Sequence, residues 1–250
     1  MRILALDTST RSCSVALLAD TELLVETAVR LPETHSAHLL ALVEHAMRLA
    51  GWRPADLDGV GVCVGPGSFT GLRIGIATAK GMAFAAGIPC VGVGSLEALA
   101  ASLLPRDERI CCLIDARRGE LYCALYRAEG ERLGRLAPER ALTIDALLGE
   151  LEGPHLFIGD GAALHADKIR LALGEGARFA PPGQNDPRAA VIGRLAAARM
   201  ALDAGERGSR LVPRYLRPSD AERAALAPRT PGGEGAETPP QAIDKDPRLS

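Results

Sequence analysis

The sequence has almost no charge imbalance. Its 29 Lys and Arg against 31 Asp and Glu leave a formal net charge of −2. No whole-molecule field therefore gathers nucleic acid, and only a local basic patch could do so. It also lacks a long apolar run. The richest region, residues 74–94, is broken by Lys80, Pro89 and several glycines, which argues against a membrane span. The opening MRILAL is interrupted at Asp7, too short for a secretory leader. These absences predict a soluble cytoplasmic protein. The six cysteines, at 13, 63, 90, 111, 112 and 123, form no CxxC pair and no metal-ligand spacing. Most fall in apolar, strand-like runs, so they read as small buried hydrophobes kept reduced.

Several catalytic signatures are missing too. No G-x-S-x-G nucleophile turn occurs. The turn Gly65-Pro66-Gly67 is not followed by Gly-Lys in either register, and Thr70 stands where a dinucleotide fold needs its third glycine. Phosphate-loop and Rossmann readings are therefore weak. His35 and His38 sit three apart near a predicted helix start, with His45 two turns beyond, but no HExxH or carboxylate stands at the needed offset; they read as exposed or interface histidines.

What is present centres on residues 60–86, VGVCVGPGSFTGLRIGIATAKGMAFAA. Val60, Val62 and Val64 alternate as on a strand. Gly65-Pro66-Gly67 ends it, and Ser68 or Thr70 can cap the next helix. That helix carries Gly71, Gly75, Ala79 and Ala83 four apart, beside a larger row with Leu72 and Ile76. A small ridge next to a large one suits close helix packing, either within the core or against a partner. Gly75 and Gly81 each cost ~1 kcal/mol against alanine in a helix, which points to a steric requirement.

Taken in order, strands are predicted at Ile3–Leu6, Cys13–Ala19 and Leu23–Val29, then a helix at Ser36–Ala50 with Leu39 and Val43 on its apolar face. The central strand and the helix Ser68–Ala86 come next, then a strand at Pro89–Val93 and a helix at Leu96–Leu103. The second half repeats the order: strands at Ile110–Ile114, Leu121–Tyr126 and Arg132–Leu136, a helix at Thr143–Glu150, a strand at His155–Ile158, a helix at Ala162–Leu173, a strand at Ala177–Ala180 and a helix at Pro187–Ala204. LALD at 4–7 parallels CLID at 112–115, and an Ala-Leu pair follows each Asp at equal distance. The chain therefore reads as a duplicated βββαβαβα α/β protein: an N-terminal lobe 1–104, a C-terminal lobe 105–217, and a tail 218–250 whose Pro, Gly and charge predict disorder. Residues 211–217, LVPRYLR, mix apolar and basic groups and could dock back as a clamp.

Two such halves, each with an Asp at its first strand turn, resemble the actin-like ATPase fold. ALDTST, GPGSFTGLRIGIATAKG, IDARRGELY and PRYLRP resemble, more closely, the TsaB family. The resemblance covers residues 1–217 and is most specific at GPGSFTGLR. It implies a non-catalytic subunit required for threonylcarbamoyl-adenosine formation next to the anticodon of ANN-decoding tRNAs. Its implied partners are TsaD as heterodimer, TsaE, a second copy when alone, and at most indirect or weak tRNA contact through residues such as Arg210, Arg214 and Arg217. The implied partner surface is the pair of helices 36–50 and 68–86, with Leu39, Val43, Gly71, Leu72, Gly75, Ile76, Ala79 and Ala83. The implied cleft comprises Asp7, Thr8, Ser9, Asp115, Arg117, Arg118, Gly159 and Asp160. Two arginines in a turn that needs small residues make that cleft degenerate. They could fold over it or pair with a carboxylate such as Glu120. No bound nucleotide or cofactor is expected, and no catalytic residue. The two metal-binding histidines of the catalytic relative fall here on Ser95 and Leu99, so no metal is expected. An ATP-dependent small-molecule kinase and a metalloprotease are the competing readings.

Overall fold

The computed structural model describes residues 1–30, 35–202 and 208–217. The proposed tail, 218–250, and the last residues of the helix predicted to reach Ala204 lie outside the described residues. Among those described, no helix is long and apolar enough to cross a membrane.

Five strands form the first sheet: β1 (Arg2–Asp7), β2 (Cys13–Ala19), β3 (Glu22–Val29), β4 (Gly59–Gly65) and β5 (Cys90–Gly94), in the order β3-β2-β1-β4-β5. β1, β2 and β3 pair antiparallel through short turns, whereas β4 and β5 join in parallel. The parallel joins need crossovers, supplied by the helices α1 (His35–Ala50) and α2 (Phe69–Ala86). The strands β1, β2, β4 and β5 are buried almost throughout, which is why they read as near-continuous apolar runs. Ser68 caps α2, its hydroxyl accepting the Gly71 N–H at 3.2 Å, and Gly87 closes the helix in a left-handed conformation (φ 68°).

After the short α3 (Ser95–Ala101), the second half rebuilds the same scheme. β6 (Arg109–Asp115), β7 (Glu120–Glu129), β8 (Arg132–Arg135), β10 (His155–Ile158) and β11 (Ala177–Phe179) run in the order β11-β10-β6-β7-β8. β9 (Arg140–Thr143) adds to β7 beyond β8's pairing. The order of each sheet is the other's counterpart, with a meander on one side of the first strand and parallel strands on the other. This is the duplicated actin-like architecture. Several details differ from the sequence reading. β9 was not foreseen: its four residues are half-exposed and carry no alternation. The helix expected over Ala162–Leu173 is two, α5 (Asp160–Leu164) and α6 (Ala166–Leu173), because the chain leaves helical geometry at His165 (φ −108°, ψ 18°). The short α4 (Ile144–Leu148) ends before the expected Glu150.

The last helix of each half also serves the other sheet. Leu96, Leu99 and Ala100 of α3 pack with Ile110, Cys112 and Tyr126 of the second sheet. In return, α7 (Ala189–Ala201) buries Ala189, Ile192 and Ala196 among Leu4, Leu18 and Val62 of the first. Small residues permit that close approach: a Cβ on Gly61 would stand 2.7 Å from the Ala196 Cβ. Residues 211–217 then strap the sheets together, as the sequence allowed. Leu211 joins the first core, Leu216 packs on the second, and the Arg214 N–H donates to the Val64 carbonyl at 2.7 Å.

Candidate functional site

The carboxyl ends of β1 and β6 carry the two aspartates singled out from the sequence. Asp7 is fully buried. Its Oδ1 accepts the Ser9 N–H at 3.1 Å, while Oδ2 and the Ser9 hydroxyl have no hydrogen-bond partner. Burial pushes the Asp7 carboxyl up to about 6, against the opposing pull of the nearby Ser9 hydroxyl and N–H and of the Cys63 thiol. Thr8 and Ser9 do not line an open cleft; they are 1% and 0% exposed. The start of α2 covers them. The Thr8 hydroxyl donates to the Gly71 carbonyl at 2.8 Å, and the Ser68 N–H donates to the Ser9 carbonyl at 2.7 Å. The His35 ring bonds the Thr10 carbonyl at 2.9 Å, giving that histidine a structural task at the head of α1.

The second turn stays at the surface. Arg117 and Arg118 are exposed and left-handed, at φ 64° and 56°, followed by Gly119 at 78°. Non-glycine residues seldom hold that conformation, so the turn is strained. Its Asp115 accepts the Arg117 N–H at 2.8 Å, and the Asp115 N–H is taken by Asp160 at 2.9 Å. Burial raises the Asp160 carboxyl, opposed by that bond. Glu120, offered from the sequence as a partner for these arginines, binds Arg217 at 2.5 Å. Arg217 is thus committed to an internal ion pair, which removes it from the surface basic residues considered for tRNA.

A loop that sequence reasoning missed joins the first turn to the end of β10. Asn185 accepts the Gly159 N–H at 2.9 Å. Asp186 accepts the Thr10 hydroxyl at 3.1 Å and pairs with Arg30 at 2.7 Å. The run Gln184-Asn185-Asp186-Pro187 ahead of α7 was the available signal, since such residues gather before helices. The consequence for chemistry is specific. A phosphate-binding turn works through unspent backbone N–H groups. Here those of Ser9, Asp115, Arg117 and Gly159 already have acceptors within the chain.

The positions matched to a metal pair are core positions. Ser95 is buried and donates to the Pro66 carbonyl at 2.5 Å, and Leu99 is fully buried. Among the described residues no three His, Cys, Asp or Glu side chains gather in a geometry that could hold a metal. All six cysteines are free and buried, and burial holds the thiols of Cys13, Cys63, Cys90, Cys111 and Cys112 above the ordinary range. Those five are protonated packing groups at neutral pH.

The partner surface needs correction. Leu39, Val43, Gly71, Leu72, Gly75, Ile76, Ala79 and Ala83 are all buried within this chain. The small ridge accommodates the first turn: a Cβ on Gly71 would lie 2.1 Å from the Thr8 carbonyl oxygen, and one on Gly75 would lie 2.3 Å from the Thr8 hydroxyl. Gly81, expected to face a steric demand, has nothing within 4 Å of a Cβ. Turned to the outside is a different row of α2: Thr70, Ala77, Gly81 and Ala85, flanked by Arg73 and by Phe84 at 91% exposure. The flanking α1 leaves Ala37, Leu40, Ala41 and Leu49 exposed.

Three comparisons give this geometry a setting. A family model described as TsaD, tRNA N6-adenosine threonylcarbamoyltransferase, matches residues 30–225. A Bacillus subtilis protein named tRNA threonylcarbamoyladenosine biosynthesis protein TsaB is 34% identical over 225 residues, covering 89% of this chain and 96% of that one. A Haemophilus influenzae protein of the same name is 38% identical over 179 residues, covering 66% and 75%. Among solved structures, YeaZ from Pseudomonas aeruginosa superposes with a TM-score of 0.75 at 29% identity, over 86% of this chain and 99% of that one.

Proposed function

From the premise that this chain belongs to the TsaB family, a relative of the TsaD family, we propose that it is the non-catalytic subunit of tRNA threonylcarbamoyl-adenosine synthesis. Its work is to bind TsaD in the cytoplasm and hold it in a competent state, with TsaE as a further partner. The observation that carries this reading is the outward face of α2. Ala77 and Gly81 leave room for another helix to approach, and Phe84 offers 91% of its surface as an anchor. Small residues beside one large aromatic suit helix-on-helix docking, and exposed aromatics of this kind dominate interface energetics. The outward groups of α1 extend the same surface. In the absence of TsaD, a second copy can use it.

The cleft supports a subunit without nucleotide chemistry. A kinase on this fold would hold polyphosphate with backbone amides, but four of those amides already donate within the chain. Reconstitution tests the reading: TsaD, TsaE, ATP, an activated threonylcarbamoyl donor and an ANN-decoding tRNA are assayed for threonylcarbamoyl-adenosine with and without this chain. Modification is expected to fall to background on omission. Full modification by TsaD and TsaE alone, or turnover by this chain alone, would overturn it.

A further inference from the structure

The second sheet holds a cavity far from the aspartate turns. It opens at the amino-terminal ends of β6 and β10, with a volume of about 560 Å³, and Arg109, Arg127, Arg178, Glu108, His155 and Pro154 are among its lining residues. β6 carries Asp115 at its other end, six residues on, so the cavity and the cleft lie ~20 Å apart at the rise of a strand. The size falls within the range of small-ligand sites.

Its electrostatics are unusual for a bare surface. Arg109 and Arg127 stand directly opposite each other in the antiparallel β6–β7 ladder, and like charges so placed destabilise a sheet. This chain does little to neutralise them. The Arg109 guanidinium donates to the Glu152 main-chain carbonyl at 2.8 Å, and Arg127 meets an exposed Glu129 only at 3.8 Å. Of the three acids lining the cavity, Glu108 holds Arg178 at 2.8 Å, Asp107 accepts the Gly130 N–H at 2.9 Å, and Glu152 is exposed. Burial, with Arg109 adding to it, keeps His155 below the ordinary histidine range, while its Nδ1 bonds the Gly153 carbonyl at 3.0 Å. Glu108 also keeps a buried Oε2 with no hydrogen-bond partner. The cavity thus offers two forked cations to an oxyanion.

We propose that this cavity binds a phosphate ester of nucleotide size, its phosphate bridging Arg109 and Arg127. Arginine forks suit phosphate oxygens better than a point charge would. Its volume matches a small phosphate ester rather than the extended backbone of a folded RNA.

The test is calorimetric titration of the full chain with AMP, inorganic phosphate and tRNA at constant ionic strength, repeated on Arg109→Gln, Arg127→Gln and the control Arg132→Gln. AMP is expected to bind the parent more tightly than inorganic phosphate does. Arg109→Gln and Arg127→Gln are each expected to weaken AMP at least about tenfold, the scale of one lost charged hydrogen bond, with Arg132→Gln unchanged. Both substituted positions are exposed, and urea unfolding checks that each variant remains folded. Absence of AMP binding at millimolar concentration, equal affinity in all variants, or binding of tRNA alone would each overturn the proposal.

Discussion

A Gly81→Gln protein is expected to keep its fold and lose its partner. Nothing among the described residues lies within 4 Å of a Cβ at Gly81, so a side chain can leave the helix there without a clash at its first atom. Glutamine is a better helix former than glycine by about 0.5–1 kcal/mol, so resistance to urea should hold or rise. Across the outward face of α2, the added side chain would push an incoming helix away and spoil the contact of Phe84. Binding to TsaD, measured by calorimetry, is expected to weaken at least about 100-fold, roughly 2.7 kcal/mol, the scale of a hot-spot loss. Gly75→Leu should behave in the opposite way. Its Cβ would sit 2.3 Å from the Thr8 hydroxyl, which is itself bonded to the Gly71 carbonyl. Overpacking there should cost about 3 kcal/mol or more and lower stability before any partner is added. Unchanged TsaD affinity in the Gly81 variant would show that α2 does not meet the partner with this face.

The second large effect is expected at Asp7. Its carboxyl titrates at about 6 in the folded chain, against 3.8 for the same group once the chain is unfolded. The sign follows from that order. Well below 3.8 the group is protonated in both states and costs nothing. As pH rises toward 6 the unfolded chain releases its proton first, so folding loses stability, and above 6 the full cost is present. The gap from 3.8 to about 6 sets that cost at about 3 kcal/mol at most. Asp7→Asn removes the charge and keeps the shape. Its Oδ1 still accepts the Ser9 N–H, and its Nδ2 gains the Ser9 hydroxyl, which is buried without a partner. The variant is therefore expected to gain about 1–3 kcal/mol in urea unfolding at about pH 7.5, with the gain vanishing toward about pH 3. Support of tRNA modification in the reconstituted complex should be unaffected. A variant that is less stable at about pH 7.5, or that fails in the complex, would show that the ionised carboxylate has a ligand to hold.

Much of the fold was legible because its signals are local. Val60, Val62 and Val64 alternate, Gly65-Pro66-Gly67 interrupts them, and Ser68 caps the helix beyond; each needs only its neighbours in sequence. The paired Asp7 and Asp115 marked two equivalent strand ends, and the repeated sheet order agrees. β9 was not legible, since a short half-exposed strand has no periodicity to read and exists only because β7 is long enough to pair with it. The bridging pair Asn185 and Asp186 was missed for a related reason. Its partners Gly159 and Thr10 lie 26 and 176 residues away along the chain.

The sequence by itself determined that this is a duplicated α/β chain with a central glycine-turn helix, and that two arginines occupy a turn where a phosphate would need small residues. It could not determine which side of that helix faces outward. Two small rows run along α2, one through Gly71, Gly75, Ala79 and Ala83, the other through Ala77, Gly81 and Ala85, and both permit close packing. Only the tertiary structure decided between them, because the turn at Thr8 comes from a strand more than sixty residues earlier and fits against Gly71 and Gly75 alone. Burial on one side of a helix is set by what the rest of the chain brings to it, and the remaining side is what a partner can reach.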